Sequence, residues 1–190
     1  MALSGEVELL VGNVRMKKMV FSSSLYVAQS DQDGSGPTPF AEQIAETDLA
    51  PGEYEGGFKL WECGQDLTMF LDHISAGQPD FWTEKAVVEL GCGHAIPSLY
   101  CLLRGAKEVA FQDYNEEVLE QLTSPTIAEN LGEASPDRVR LFSGDWSLLH
   151  TVMPFQHYDV ILSSDTLYCQ ANHGPFLRLI KHLLKPGGIA

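Results

Sequence analysis

The sequence predicts an α/β fold, a doubly wound and mostly parallel sheet in the Rossmann-like manner, and three observations carry that prediction. Short apolar runs that read as strands alternate with segments of helical period, the pattern of a parallel sheet covered on both faces. Ala86-Val-Val-Glu-Leu90 is a β-branched run that ends directly in Gly91-Cys-Gly93, as a buried parallel strand entering a tight turn reads. The later strand candidates end in acidic or small polar residues, and ligands of such sheets bind at the carboxyl ends of the strands.

Residues 1 to about 50 differ from the rest. Ser22-Ser23-Ser24 and the stretch from Ser30 to Pro39 are too polar to bury much, so this part is expected to be a flexible arm. Within it Glu6 to Val20 has the length and alternation of a strand or hairpin, and Arg15, Lys17 and Lys18 read as a solvated face rather than a binding patch. The folded domain is expected over residues 51–190.

In that domain Leu67, Phe70, Leu71 and Ile74 recur at helical spacing and predict one apolar helix face. After the strand at Ala86–Leu90, Pro97 suits the first turn of a second helix. Leu99, Leu102 and Leu103 give it an apolar stripe, with Arg104 in its last turn and Gly105 as its C-terminal cap. A strand over Glu108–Phe111 leads to Asp113. Asn115 is then a plausible N-cap of a helix over Glu116–Asn130, interrupted near Pro125.

Val139–Phe142 and Tyr158–Leu162 read as two more strands, and a last helix is expected from about Pro175 to Leu184. Lys185-Pro-Gly-Gly188 reads as a turn. The strand expected after it would hold two residues, Ile189 and Ala190, so the domain is expected to be truncated before its last strands.

Composition bounds the function. The chain has 190 residues, 44% hydrophobic and 20% charged, which permits a real core and excludes global disorder. Its formal net charge of −14 opposes non-specific binding to a phosphate backbone and favours a basic protein partner, or merely a soluble surface. No apolar run approaches the ~18 residues of a bilayer span. Cys63, Cys92, Cys101 and Cys169 are scattered, as reduced thiols of an intracellular protein would be. Cys92 and His94 make two ligands at most, so no metal site is expected.

The chemistry concentrates at three strand ends. The loop after the first parallel strand, Glu89-Leu-Gly-Cys-Gly93, lets backbone approach a ligand without interference from Cβ. Ile96 stands where a dinucleotide fingerprint needs a third small residue, which disfavours hydride chemistry. Asp113, roughly 20 residues after the loop, is placed to accept hydrogen bonds from both ribose hydroxyls of a nucleoside. Asp145 offers an acceptor to an adenine amino group and Trp146 an aromatic face. Asp165 and Glu62 are further acidic candidates for the site. Their plainer readings are structural, Asp165 as an N-cap after the fourth strand.

Glu55-Gly-Gly-Phe-Lys-Leu-Trp-Glu-Cys63, Phe111-Gln-Asp-Tyr-Asn115, Phe142-Ser-Gly-Asp-Trp146 and Ser163-Ser-Asp-Thr-Leu-Tyr168 together resemble the protein-histidine methyltransferases of the seven-strand, S-adenosylmethionine-dependent class. The resemblance spans roughly residues 48 to 190. It implies that Trp61, Glu62, Cys63, Gly64, Gln65 and Gly91 border the methionine part of the cofactor, with Glu89 and Gly93 in the same loop. By the same resemblance Phe111, Gln112 and Asp113 hold the ribose, Gly144, Asp145 and Trp146 the adenine side, and Ser164 completes the pocket. Ala95 departs from the pattern, standing where the family commonly has a third glycine.

The implied activity is methyl transfer to a histidine imidazole nitrogen of a large-subunit ribosomal protein, in the cytoplasm and nucleus including the nucleolus, with Asp165 and Glu62 the candidates to fix the tautomer of that histidine. Spacing and composition do not distinguish histidine from lysine as acceptor, and a non-catalytic nucleoside-binding module stays open as a third reading.

Overall fold

The computed structural model describes residues 3–21, 47–132 and 136–190. The polar stretches at 22–24 and 30–39 therefore lie outside the described residues. An N-terminal hairpin of β1 (Leu3–Val11) and β2 (Val14–Phe21) precedes a five-stranded sheet of β3 (Ala86–Leu90), β4 (Glu108–Asp113), β5 (Val139–Ser143), β6 (Tyr158–Leu162) and β7 (Leu184–Ile189). The sheet order is β5-β4-β3-β6-β7, and every described pairing within it is parallel. The doubly wound prediction holds, with the topological switch between β3 and β6.

Both faces of β3 are buried, and alternation sends its side chains into two cores. Val87 joins Leu99, Tyr100, Val109, Phe111 and Trp82 on one face; Val88 and Leu90 join Ala110, Ile161, Phe176, Leu179 and Leu183 on the other. The first face is covered by α1 (Glu62–Ser75), α2 (Ile96–Leu103) and α4 (Ser124–Leu131), the second by α5 (Gln170–Leu183).

The helix at α1 is where the period placed it, but rotated. It buries Gly64, Thr68, Leu71 and Ser75, while Phe70 is 56% exposed. Small polar residues are inexpensive to bury when they bond their own helix. Thr68 donates to the Gly64 carbonyl at 2.7 Å and Ser75 to that of Leu71 at 2.8 Å, and their size lets Tyr100 reach Asp72 at 2.8 Å. The break expected near Pro125 is a π-helical turn, Leu119–Thr123, joining a single turn α3 (Glu116–Val118) to α4.

Helix α5 begins at Gln170, before the expected Pro175, and carries that proline within it at the loss of one backbone bond. Lys185-Pro-Gly-Gly188 is not a turn preceding a strand but lies inside β7. Leu184 pairs with Tyr158 and Ile189 with Val160, so the glycines bulge between two points of attachment.

The hairpin expected between Glu6 and Val20 is present, but over residues 3–21 it is docked rather than a free arm. Met16 is fully buried in the first core. The Asn130 side chain of α4 pairs with both backbone groups of Lys17, accepting its N–H at 2.7 Å and donating to its carbonyl at 2.6 Å. Among the described residues no helix is long and apolar enough to cross a membrane.

Candidate active site

A cavity of about 340 Å³ opens at the carboxyl ends of β3, β4, β5 and β6. Its floor is the loop after β3, where Gly91, Gly93 and Ala95 all take positive φ, at 70°, 45° and 59°. Only glycine does this freely, so Ala95 holds the left-handed conformation against its own Cβ. A Cβ on Gly91 would stand 2.5 Å from Thr166 Cγ2, and one on Gly93 would stand 2.9 Å from the Gly57 carbonyl oxygen.

Below the loop the Glu89 carboxyl accepts hydrogen bonds from Ser98 N (3.0 Å) and from the Ser98 hydroxyl. Burial pushes its pKa up to about 8, against those two bonds, so the group is largely protonated at neutral pH. Asp113 closes the floor at the end of β4: Oδ2 accepts from Gly93 N at 2.9 Å and Oδ1 from Asn115 N at 3.2 Å. Burial raises this carboxyl to about 6 despite the backbone donors.

Gln112 turns away from the cavity and binds its loops together. Its Oε1 accepts from Gly91 N at 3.2 Å and from the Trp146 indole at 2.9 Å, while Nε2 donates to the Gly144 carbonyl at 3.0 Å. Trp146, held this way, packs on Phe176 with ring centroids 4.8 Å apart.

The cavity brings together Trp61, Gly64, Glu89, Gly91, Gly93, Asp113, Gly144, Asp145, Trp146, Ser164 and Asp165 from the sequence assignment. Phe111 and Gln112 do not line it. Strand alternation buries Phe111 in the first core, and Gln112 acts from behind the loops. Glu62, Cys63 and Gln65 also stand outside the lining, exposed on the first turn of α1, where the helix dipole favours an acidic residue such as Glu62. Asp165 is exposed at the mouth with φ 55° and is not the cap of α5, a position filled by Cys169. The Cys63 thiol hydrogen-bonds to Asp165, which raises the thiol pKa.

Three contributions were missed. One wall is a strap, residues 47–61, whose Gly52, Glu55, Gly56 and Gly57 line the cavity. Tyr114 reaches across it to the Gly52 carbonyl at 2.9 Å, and Trp61 closes on the Gly56 carbonyl at 3.1 Å. His94 is the second contribution: Nε2–H donates to the Phe58 carbonyl at 3.0 Å, and burial lowers its pKa to about 4, so the ring is neutral. Among the described residues its Nδ1 has no partner. The third, Asn172, lines the mouth from α5. The Glu55–Cys63 motif marked the end of the strap in the sequence, but of the strap's residues only Trp61 was assigned to the site.

Among the described residues no His, Cys, Asp and Glu side chains group as a metal site. The donor set fits a nucleoside instead. Asp113, held by backbone N–H groups of Gly93, Asn115 and Tyr114, lines the cavity as a carboxylate acceptor for a hydroxyl, beside an aromatic wall and glycine-lined backbone.

The fold is that of S-adenosylmethionine-dependent methyltransferases. A solved structure of such a methyltransferase from Methanococcus maripaludis aligns with a TM-score of 0.53 at 17% identity, over 68% of this chain and 57% of that one. The family model described as lysine methyltransferase matches residues 47–189, and the chain belongs to that family. Its relatives include a histidine protein methyltransferase 1 homolog of Dictyostelium discoideum, 42% identical over 76% of this chain and 45% of the relative. The Mus musculus protein of the same name is 36% identical over 70% and 44%. The chain thus spans about half the length of the curated relatives it matches.

Proposed function

We propose that this chain binds S-adenosylmethionine and transfers its methyl group to an imidazole nitrogen of a histidine in a protein, and that the substrate is a basic large-subunit ribosomal protein met in the cytoplasm or nucleus. The observation that carries the reading is the convergence of Gly91, Gly93, Asp113 and Trp146 on one cavity, in a chain whose relatives include histidine protein methyltransferases. The net charge of −14 agrees in sign with a basic partner.

When bound, the cofactor supplies a methyl group already activated by its sulfonium, so the protein's task is placement and exclusion of water rather than strong base catalysis. Asp113 accepts from the ribose hydroxyls, Trp146 forms the wall on the adenine side, and Trp61 and Ser164 border the methionine end. The acceptor imidazole enters at the mouth, past Tyr168. There the Asp165 carboxylate accepts a hydrogen bond from the ring N–H, which keeps the other nitrogen unprotonated for attack; it then stabilises the imidazolium that attack creates and takes up its N–H proton for release to solvent.

Calorimetric titration with S-adenosylhomocysteine tests the cofactor. Saturable binding, absent for NAD and lost in Asp113→Ala, supports the reading; no binding by the folded chain defeats it. Peptide mass spectrometry of ribosomal proteins incubated with chain and cofactor then locates the methyl group. A second reading, lysine as acceptor, is favoured by the description of the matching family model, and a methylated lysine in the same experiment would establish it.

A further inference from the structure

Asn115 occupies the N-cap position of α3 with the extended backbone of a capping residue, φ −92° and ψ 119°, yet its side chain caps nothing. Its amide turns the other way, to the strap. Oδ1 accepts the Glu55 N–H at 3.0 Å and Nδ2 donates to the Glu53 carbonyl at 2.8 Å. Exchanging the two amide atoms would set donor against donor and acceptor against acceptor, so the pairing fixes the side chain in one orientation.

The same residue also holds the floor, because its own N–H donates to Asp113 Oδ1 at 3.2 Å. Asn115 is 6% exposed and does not line the cavity. Wall and floor meet closely beside it. A Cβ on Gly57 would lie 2.8 Å from Val118 and 3.1 Å from Asp113 Oδ2, so no side chain separates the strap from the carboxylate.

We infer that Asn115 is a positioning residue for the nucleoside half of the cofactor, one amide that sets the strap at Glu53–Gly57 against the Asp113 carboxylate. The inference rests on reading the cavity as an S-adenosylmethionine pocket. A helix cap at this position would serve local stability; here that capacity is diverted to a segment 60 residues earlier in the chain. The strap then binds as a preset wall rather than one that must be ordered by the ligand, and the benefit is read in affinity.

The test uses the full chain with Asn115→Ala and Asn115→Asp. The aspartate keeps the shape and the acceptor for the Glu55 N–H but loses the donor to Glu53, whereas alanine loses both; neither removes a helix cap, since the Asn115 side chain makes none. S-adenosylhomocysteine binding is measured by calorimetry at a temperature where circular dichroism shows each variant folded, and amide hydrogen exchange is followed at Glu55 and along β3. The expected result is affinity reduced at least about tenfold in both variants. Exchange at Glu55 is accelerated while β3 stays protected.

Unchanged affinity in a variant whose Glu55 exchange is faster overturns the inference. So does loss of protection spread equally into β3, the mark of a merely structural residue. Failure of the wild-type chain to bind defeats the cofactor reading itself and this inference with it, whereas wild-type binding with an unaffected aspartate variant defeats only the role of Asn115.

Discussion

The indole N–H of Trp146 and the amide N–H of Gly91 meet on a single oxygen, Oε1 of Gln112, at 2.9 and 3.2 Å. One side chain on β4 therefore couples the glycine loop after β3 to the aromatic wall after β5. Gln112→Leu, close in volume, removes both acceptances and the donation to the Gly144 carbonyl. Each buried group left without a partner costs about 1–3 kcal/mol, so a loss of roughly 3 kcal/mol is expected in urea unfolding. A loss under about 1 kcal/mol would mean that water replaces the side chain.

Gly91→Ala combines two penalties. The residue has φ 70°, which costs an L side chain about 1–2 kcal/mol, and its new methyl would stand 2.5 Å from Thr166 Cγ2. Thr166→Ser keeps the hydroxyl that bonds Ser163 at 2.6 Å and removes the clashing methyl. The double variant is expected to recover the overpacking share, about 1–3 kcal/mol, and to retain the backbone strain. Strict additivity of the two substitutions would show that the loop moves away instead.

The pH dependence of stability carries the signature of Glu89. Its folded pKa of about 8 lies above its ordinary value of 4.5, so the folded protein keeps a proton that the unfolded chain releases. That contribution is complete below 4.5 and is lost as pH rises through about 8. Glu89→Gln can still accept from Ser98 and has no proton to lose. Thermal melts across this range are expected to show the wild type losing stability relative to Glu89→Gln. Asp113, raised to about 6, supplies the part of the slope that survives in the variant. Parallel pH profiles would rule out a buried neutral carboxyl.

Met16→Ala tests whether the hairpin belongs to the domain. Met16 is fully buried in the core that contains Leu71 and Leu99, and deleting a buried side chain of this size costs about 2–5 kcal/mol. A single cooperative transition at lower temperature is expected. An unchanged melt would show a hairpin that detaches without consequence for the sheet.

Much of this architecture was legible because period and chemistry coincided. Ala86–Leu90 and Tyr158–Leu162 are short, mostly apolar runs, each with a single acidic residue, and the structure ends them where the sequence does. The face of α1 was not legible, since the apolar period marks Phe70 and Ile74 while burial follows Thr68 and Ser75, whose hydroxyls bond within the helix.

The same limit applies at the site. Strand ends announce Gly91, Asp113 and Asp145, but alternation alone could have warned that Phe111 and Asp113 share a direction that Gln112 does not. Asn115 was read as a cap from its type and position. The position was correct, and the partner, 60 residues away in the chain, was invisible to any local rule.

The placement of β3 at the centre also orders the assembly of the molecule in time. Toward β4 its contacts close short loops, as in the Gly91–Gln112 bond across 21 residues. Toward β6 they close long ones, the Ala86–Asp159 and Leu90–Ser163 bonds each spanning 73. Closure entropy grows with the logarithm of loop length, a difference of about 1 kcal/mol here, and parallel pairings cannot begin from a hairpin. The half of the sheet that carries Gly91, Asp113 and Trp146 is therefore expected to condense first. The rim at Ser164 and Asp165 follows, so a chain emerging from synthesis would hold the nucleoside end of its pocket before it had a mouth.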